Sequence, residues 1–487
     1  MQKIIYYLLF TFFTTCAVTA QEKWGLRKCV EYAWQNNISI KQQEIQTAGT
    51  VLAEKLAKQS AYPNVNFSNN TGLQLGRSVD PTTNQFTTTQ LLFQGYNLNA
   101  DVMIYNWNRQ KNSLIAAKID TKAAQANVEK TKNDIALSVA TAFLQALLNK
   151  EQIAVVEIQF EQTKSQLLET SKRVAAGSLP ELNALELQAQ LARDSTGIIN
   201  AKATADLSLL QLKALLNLDA AAPFELEVPP VDVLPVEGIA DLQPEYVFGM
   251  AIKNQPAQKV NQLRLQSFLT NVKIAKASMY PIISGFLGLG TNFANPFNKV
   301  TSFDFVGYSP TNPFSPVVNV GGANYFVQDP KVNITQSTKS FGELWKGYSG
   351  QLDNNFRQNF GVALNVPIFS NGGSARNAYE RSKLNVQNAQ LVITQADLQL
   401  KQDIYQAYTT ASAAMQRYNA SITTLAATQK TYDFAKKRYD VGLLGTFELI
   451  TNQNNLNKSI MDKLIAQYEY VFRMKVLEFY KGMGLKL

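Results

Sequence analysis

The chain has 487 residues, of which 46% are hydrophobic, and its 46 basic and 37 acidic residues give a formal net charge of +9. It contains no histidine and none of the common hydrolase, P-loop or dinucleotide-binding motifs, so we predict no enzyme activity, no metal and no cofactor. Basic and acidic residues alternate along the predicted helices, which is typical of solvated helix faces and excludes a nucleic-acid-binding patch.

The first predicted element is a secretory signal peptide at residues 1–20. Lys3 precedes an apolar run at 4–13, and small residues lead to a predicted cleavage after Ala20. The apolar run is too short to span a bilayer as a helix. Cys16 would be the modified residue of a lipoprotein, but the residues before it make a poor lipobox, so we do not expect lipidation.

The mature chain would contain one cysteine, Cys29, so its fold is expected to form without an intrachain disulfide. No later stretch approaches about 20 consecutive apolar residues, which argues against a membrane-spanning helix. An exported chain of this kind is either released or inserted into the outer membrane as a β-barrel.

The rest of the chain is internally duplicated. Three motifs occur in the same order in both halves, and each of them is weak alone. The matching groups are Ala33 and Asn36 with Ala251 and Asn254, Tyr62 and Pro63 with Tyr280 and Pro281, and Arg173 and Gly177 with Arg438 and Gly442. We therefore predict a first structural repeat at 21–218, a proline-rich linking segment at 219–241 and a second repeat at 242–487.

Each repeat is predicted to begin with one long helix, at 23–60 and at 243–278, which a Tyr-Pro pair ends. A β-hairpin follows, at 64–94 in the first repeat and at 281–369 in the second. The second hairpin contains a long segment rich in Asn, Gly, Pro, Ser and Phe at 295–355, which we interpret as an extracellular loop.

The predicted strands alternate between apolar and polar residues, most clearly at 64–76 and 360–368. An edge strand of a soluble sandwich also alternates, so the alternation alone does not decide between the two. The signal peptide and the duplication favour strands that face lipid on one side and a wet lumen on the other. We place the change from strand to helix at Gly95 in the first repeat and at Gly372 and Gly373 in the second.

Very long helices are predicted after each hairpin, because 96–176 and 374–441 contain neither glycine nor proline. Apolar residues recur there at alternating spacings of four and three, which is typical of coiled-coil packing. In the first helix they are Ile135, Val139, Ala142, Ala146, Ile153, Val156, Phe160 and Leu167. The helical pattern restarts after Gly177 and Gly442, so each repeat is predicted to form an antiparallel helical hairpin.

Four strands cannot close a barrel, and an open sheet edge in lipid would leave backbone groups without hydrogen bonds. The chain is therefore expected to share a barrel with copies of itself. Two copies would give eight strands, whose interior is filled by side chains, whereas three would give twelve strands and a lumen. A cyclic trimer is the favoured arrangement for a conduit.

Three groups of residues in the second repeat carry a family resemblance. They are Val366, Pro367, Ile368 and Phe369 with Gly372 and Gly373; Arg438, Tyr439 and Gly442; and Phe447, Glu448, Leu449, Ile450, Gln453 and Leu456. With them the sequence resembles the TolC-type outer-membrane efflux proteins over essentially the whole mature chain. The fold implied is mainly α with a membrane β-barrel: long antiparallel helical hairpins form an α-barrel, and four strands per chain contribute to a 12-stranded trimeric β-barrel.

The function that the resemblance implies is a passive exit duct in the bacterial outer membrane, with a large periplasmic portion, for efflux of small molecules or for secretion. The implied partners are two further copies of the chain, outer-membrane lipid, a periplasmic adaptor, and an inner-membrane pump or secretion transporter. The cargo is not set by the sequence, because in a passive duct the choice of substrate lies mostly with the pump.

The resemblance also implies two sets of site residues. The adaptor-docking tips map to Gly177, Ser178, Leu179, Val441, Gly442 and Leu443. The two glycines are alternatively helix C-caps, and the two roles are compatible. Glu448 falls on the first position of the family's acidic periplasmic gate and Thr451 on the second, so any acidic ring would be reduced. Without the resemblance, Glu448 is interpreted as a solvated helix residue.

Two other classes of protein remain as alternatives. A non-conducting structural or adhesive envelope protein would combine a periplasmic coiled coil with an outer-membrane anchor, and apolar packing over the polar strand face would favour it. A periplasmic adaptor also has long hairpins, but it would require a lipoyl-like β-domain beside one hairpin.

Overall fold

The computed structural model describes residues 23–79, 86–88, 90–227, 238–312, 314–368 and 373–482. The predicted signal peptide, Cys16 and Gly372 lie outside these residues. The chain divides into two compact units. A helical unit contains the described residues of 1–55, 114–272 and 380–487, and a sheet unit contains those of 56–113 and 273–379.

The described elements repeat the same order in both halves: two helices, paired strands, then two long helices. The helices are α1 Leu26–Asn36, α2 Ile38–Gln59, α3 Arg109–Ala175, α4 Glu181–Leu216, α5 Pro244–Asn254, α6 Pro256–Ala277, α7 Phe341–Leu344, α8 Tyr348–Asn354, α9 Ser374–Asp440 and α10 Thr446–Tyr480. The strands are β1 Asn64–Gln74, β2 Arg77–Val79, β3 Phe86–Thr88, β4 Leu91–Tyr105, β5 Ile282–Pro296, β6 Asn298–Tyr308, β7 Val317–Val320, β8 Ala323–Phe326, β9 Pro330–Thr338 and β10 Arg357–Asn365.

Each half begins with two helices rather than the single long helix that the sequence predicts. The backbone becomes extended at Asn37, between α1 and α2, and at Gln255, between α5 and α6. Asn37 Nδ2 donates a hydrogen bond to the Leu215 carbonyl at 2.9 Å, and Gln255 Nε2 donates one to the Phe479 carbonyl at 3.2 Å. Both amides thus donate to carbonyls in the last turn of α4 or α10. These carbonyls have no partner within their own helix.

The helical unit has an apolar core centred on each half, and the first of them also includes Tyr468 of α10. In the first half, Phe143 is 1% exposed and packs with Leu147 of α3 and Leu212 of α4. In the second half, Ile404 of α9 is buried with Met474 of α10. The helices α3 and α9 each have 67 residues, and at 1.5 Å per residue each is about 100 Å long.

The central feature of the sheet unit is one four-stranded sheet with the order β1-β4-β5-β10. All three neighbouring pairs are antiparallel. Each half of the chain therefore contributes two strands, and the halves join at the pairing of β4 with β5. This agrees with the four strands per chain that the sequence predicts.

The predicted end of the first hairpin at 94 was wrong. Strand β4 continues to Tyr105 and passes through Gly95, so this glycine does not mark the change from strand to helix. The turn lies instead at Trp107 and Asn108, whose φ values of 53° and 61° fall in the left-handed region. Pairing with β1 on one side and β5 on the other fixes the extended conformation up to that turn.

The long segment of the second hairpin was predicted as a loop, but it is folded. Strands β6 and β9 pair as one antiparallel ribbon, and β7 pairs with β8 beyond it. Helices α7 and α8 lie against β5, where Phe293 is fully buried and its ring stacks on Trp345 at 5.7 Å. An aromatic cluster therefore gives part of this segment a small core of its own.

Three findings in the described residues bear on function. None of the described helices combines the length and the apolar character needed to cross a membrane. The same residues contain no cluster of three or more Cys, Asp or Glu side chains suited to a metal ion. Cys29 is fully buried, and burial raises the pKa of its thiol to about 12, so the thiol stays protonated at neutral pH.

Candidate functional site

The four-stranded sheet has one polar face. Residues that pair directly across antiparallel strands point to the same side, so the register assigns each residue to a face. The polar face is made up of Asn64, Asn66 and Ser68 on β1, Asn97, Asn99 and Asp101 on β4, Phe286, Gly288 and Gly290 on β5, and Arg357, Asn359 and Gly361 on β10. In these rows, apart from the ring of Phe286, the side chains are amides, a hydroxyl and charged groups. Further along the same face, at the start of β4, lie Phe93 and the fully buried Leu91, so the face is apolar at that end. Among the described residues of the rows from Asn97 to Asp101, the apolar packing that would favour a non-conducting protein is not found.

The opposite face is apolar and open. It is made up of Val65 and Phe67 on β1, Leu98, Ala100 and Val102 on β4, Leu287 and Leu289 on β5, and Phe360, Val362 and Leu364 on β10. Phe360 is 81% exposed and Phe67 is 67% exposed. A continuous apolar surface of this kind requires a non-aqueous neighbour, because leaving it in water forgoes the hydrophobic stabilisation of burial.

The sheet also has two free edges. Among the described strands, none pairs with the outer edge of β1 or with the outer edge of β10. Unpaired backbone groups beside an apolar face cannot be satisfied by lipid. The sheet is therefore incomplete in one chain, both at its edges and on its apolar face.

Aromatic side chains gather where β4 ends. The Trp107 ring lies 5.4 Å from Tyr105 and 5.0 Å from Tyr280, which belongs to the repeated Tyr-Pro motif. Trp107 Nε1 donates a hydrogen bond of 2.9 Å to the Pro281 carbonyl, which ties the two repeats together at this level. Amphipathic rings in such a position are typical of the aromatic girdle of membrane strands.

The helical unit contains the predicted hairpin tips. Gly177 follows α3 with φ of 72°, and Gly442 follows α9 with φ of 76°. At the first tip, Ser178 N–H bonds the Arg173 carbonyl at 2.9 Å, and at the second, Leu443 N–H bonds the Arg438 carbonyl at 2.8 Å. These are Schellman caps, so both glycines serve as helix C-caps whatever else they do.

The two tips present different surfaces. Val441 is 69% exposed and Leu443 is 70% exposed, whereas Leu179 is half-buried and Ser178 is exposed and polar. Leu444, next to the exposed pair, packs against a core beside Tyr439 and holds the second tip in place. The structure thus brings Val441, Gly442 and Leu443 together on one apolar, solvent-facing turn.

Hydrogen bonds join the two hairpins just above their tips. The hydroxyl groups of Thr170 on α3 and Tyr439 on α9 are bonded at 2.8 Å, and Gln166 Nε2 donates to the Tyr432 hydroxyl at 3.0 Å. Burial raises the pKa of the Tyr432 hydroxyl, so it stays protonated and remains a donor as well as an acceptor.

The predicted gate residues lie on α10 behind the second tip. Glu448 and Thr451 are both exposed and lie on the same side of the helix, whereas Leu449 and Gln453 are buried on the other side. Thr451 Oγ1 donates a hydrogen bond of 2.8 Å to the Phe447 carbonyl of its own helix. A single chain does not bring Glu448 side chains together, so their role as a ring stays a prediction.

A buried polar cluster near the tips was not predicted from the sequence. Asp194 on α4 is 7% exposed and accepts hydrogen bonds from Gln159 at 2.8 Å, Thr163 at 2.7 Å and Gln190 at 2.8 Å. Gln453 of α10 reaches Thr163 at 3.5 Å. The cluster connects α3, α4 and α10. A signal for it was present, because Thr163 occupies a position of the four-and-three spacing that is normally apolar.

A family model described as outer membrane efflux protein matches residues 30–218 and 330–478. No curated protein sequence matches the chain. The solved structure of CusC is 15% identical with a TM-score of 0.71, over 94% of this chain and 92% of that one. The outer membrane protein VceC of Vibrio cholerae is 15% identical with a TM-score of 0.70, over 95% and 97%. The CmeC outer membrane channel of Campylobacter jejuni is 16% identical with a TM-score of 0.68, over 95% and 86%. At these identities, the structural likeness shows the fold.

Proposed function

Because the chain belongs to the outer membrane efflux protein family, as the resemblance in its sequence predicted, we propose that three copies form a passive exit duct. The observation that carries the proposal is the four-stranded sheet, which has one apolar face, one polar face and two free edges. Lipid would cover the apolar face, and β1 of one copy would pair with β10 of the next. The helical unit would lie in the periplasm.

The strand count favours three copies. Two copies would supply eight strands, and the interior of a barrel of that size is filled by side chains. Three copies would supply twelve strands and leave a lumen lined by the asparagine-rich face. Such a lining interacts favourably with water and polar solutes, as expected of a duct that opens to both sides.

The number of copies is tested by native mass spectrometry of the full-length protein in detergent. We expect a particle of three chains. A predominant particle of two chains would contradict the duct, because it corresponds to a filled barrel, and so would a stable monomer.

For the hairpin tips, we propose docking to a periplasmic adaptor, which in turn engages an inner-membrane pump or secretion transporter. The apolar turn of Val441, Gly442 and Leu443 supports this, because it is exposed yet held in one conformation by its cap. Replacing Leu443 with aspartate should abolish cross-linking to the adaptor in intact cells while the trimer survives. Undiminished cross-linking in this variant would exclude the second tip as a docking surface.

For the gate, we propose that three copies of Glu448 line the narrow periplasmic end of the duct. Its exposed position on α10 supports this, and three carboxylates around a pore attract cations. Replacing Glu448 with glutamine should lower the preference for cations in reversal-potential measurements across a planar bilayer. An unchanged reversal potential would exclude Glu448 as a selectivity ring. Thr451, on the same side of the helix, adds no charge and is not expected to contribute.

A further inference from the structure

The four paired strands contain very little charge. Strands β1, β4, β5 and β10 together include one basic residue, Arg357, and one acidic residue, Asp101. Both lie on the polar face of the sheet. If this face lines a lumen, as the proposed function holds, the wall is made largely of amides and glycines, and the two charges are its main electrostatic features.

Arg357 lies in a specific setting on this face. It pairs with Gly290, which pairs in turn with Asn97 on the other side. A Cβ atom placed on Gly290 would lie 3.2 Å from Arg357 Nε and 3.0 Å from Asn97 Oδ1. The side chains of Arg357 and Asn97 therefore occupy the space that the missing side chain of Gly290 leaves free, and the guanidinium lies along the wall.

The next residues along the same face of the sheet are arranged in the same way around a glycine, but their side chains are neutral. The side chain of Asn359, two residues along β10 and on the same face, occupies the space that a side chain at Gly288 would fill. Asn99 pairs with Gly288 from the other side. Arg357 is thus bordered by amides, which can donate and accept hydrogen bonds without adding charge.

Arg357 has no direct partner for its charge among the described residues. No residue that the structure describes forms an ion pair or a side-chain hydrogen bond with it. A guanidinium group presents its N–H donors in a planar fork that matches carboxylate and phosphate oxygens. Its free donors and the amide border are suited to an anionic group that passes along the wall.

Asp101 is too far away to cancel this charge. It lies four residues along β4 from Asn97, which is about 13 Å at the rise of a β-strand. Electrostatic interactions in salt solution at physiological strength decay over about 8 Å. The two positions therefore act as separate levels of opposite sign along the wall.

We infer that Arg357 is a selectivity-determining residue of the duct, at which three copies form a ring that attracts carboxylate- or phosphate-bearing cargo. This inference rests on the proposed trimeric duct. It assigns an electrostatic filter to the β-barrel wall, separate from the gate at the helical end.

The test is the reversal potential of the full-length protein in planar bilayers under a KCl gradient. Replacing Arg357 with glutamine should lower the ratio of chloride to potassium permeability by about threefold, since it removes three positive charges from the proposed lumen wall. Arg357→Lys should keep most of the wild-type ratio. The matched control is Gln358→Glu, which changes the net charge by the same amount one residue away on the proposed lipid-facing side. A carboxylate there is expected to lower the number of assembled channels, but the channels that conduct should keep the wild-type ratio.

The possible outcomes separate this inference from the proposed function. A conducting Arg357→Gln channel with the wild-type permeability ratio would overturn the inference and leave the duct intact. Equal shifts for Arg357→Gln and Gln358→Glu would also overturn it, because they would indicate a general surface-charge effect. A wild-type protein that does not conduct would contradict the duct itself.

Discussion

Replacing Phe67 with arginine is expected to destabilise the assembled protein in a bilayer by about 2 kcal/mol, the cost of a charge on a lipid-facing barrel position. Phe67 is on the apolar face of β1, is 67% exposed, and stacks on Tyr96 with ring centroids 6.3 Å apart. The measurement is the denaturant midpoint of protein refolded into lipid vesicles, followed by the loss of trimer on gels.

The control for this prediction is one residue away. Asn66 points to the polar face, so Asn66→Arg places the same charge on the wet side of the same strand. It should shift the midpoint by less than about 0.5 kcal/mol. If the two variants were equally stable, or if Asn66→Arg were the worse of the two, the assignment of the faces would be wrong.

Replacing Asp194 with alanine is expected to destabilise the helical unit by about 3 kcal/mol. The change removes one acceptor from three donors, and Thr163 and Gln190 are 1% and 7% exposed, so water does not readily replace it. Helix content measured by circular dichroism during chemical denaturation of the full-length protein reports the effect.

A matched control lies on the same helix. Asp206 of α4 is exposed, and its replacement by alanine should change the midpoint by no more than about 0.5 kcal/mol. If Asp194→Ala behaved like Asp206→Ala, the buried cluster would not contribute to the stability of the helices that it connects.

Local chemistry made the hairpin tips predictable from the sequence. Gly177 and Gly442 both interrupt long helical patterns, and a left-handed residue at a helix end is most readily glycine. Alternation likewise predicted β1 and β10. These features depend on residues that are close in the sequence, so no knowledge of distant contacts was needed.

In β4, a strand-like alternation is present in the sequence, but a helix-like composition conceals it. The stretch from Tyr96 to Tyr105 has neither glycine nor proline and contains residues that also suit a helix, so it was interpreted as the start of the long helix. Yet Leu98, Ala100 and Val102 alternate with polar residues, which is the period of a strand. Pairing with strands on both sides decided the conformation.

The helix breaks depend on partners that are far away in the sequence. Asn37 bonds a carbonyl 178 residues away, and Gln255 bonds one 224 residues away. The repeated asparagines, Asn36 and Asn254, directly precede both positions, but the hydrogen bonds that end the helices depend on the returning helix. The buried threonines are similar, since Thr163 and Thr170 acquire a role only through Asp194 and Tyr439.

The central claim, that three chains enclose a lumen, is tested most directly by planar-bilayer conductance of the purified full-length protein whose mass has been measured in the same preparation. The account predicts that particles of three chains insert and give stable, ohmic current steps. Three-chain particles that insert without conducting, or current that comes only from particles of another size, would contradict it.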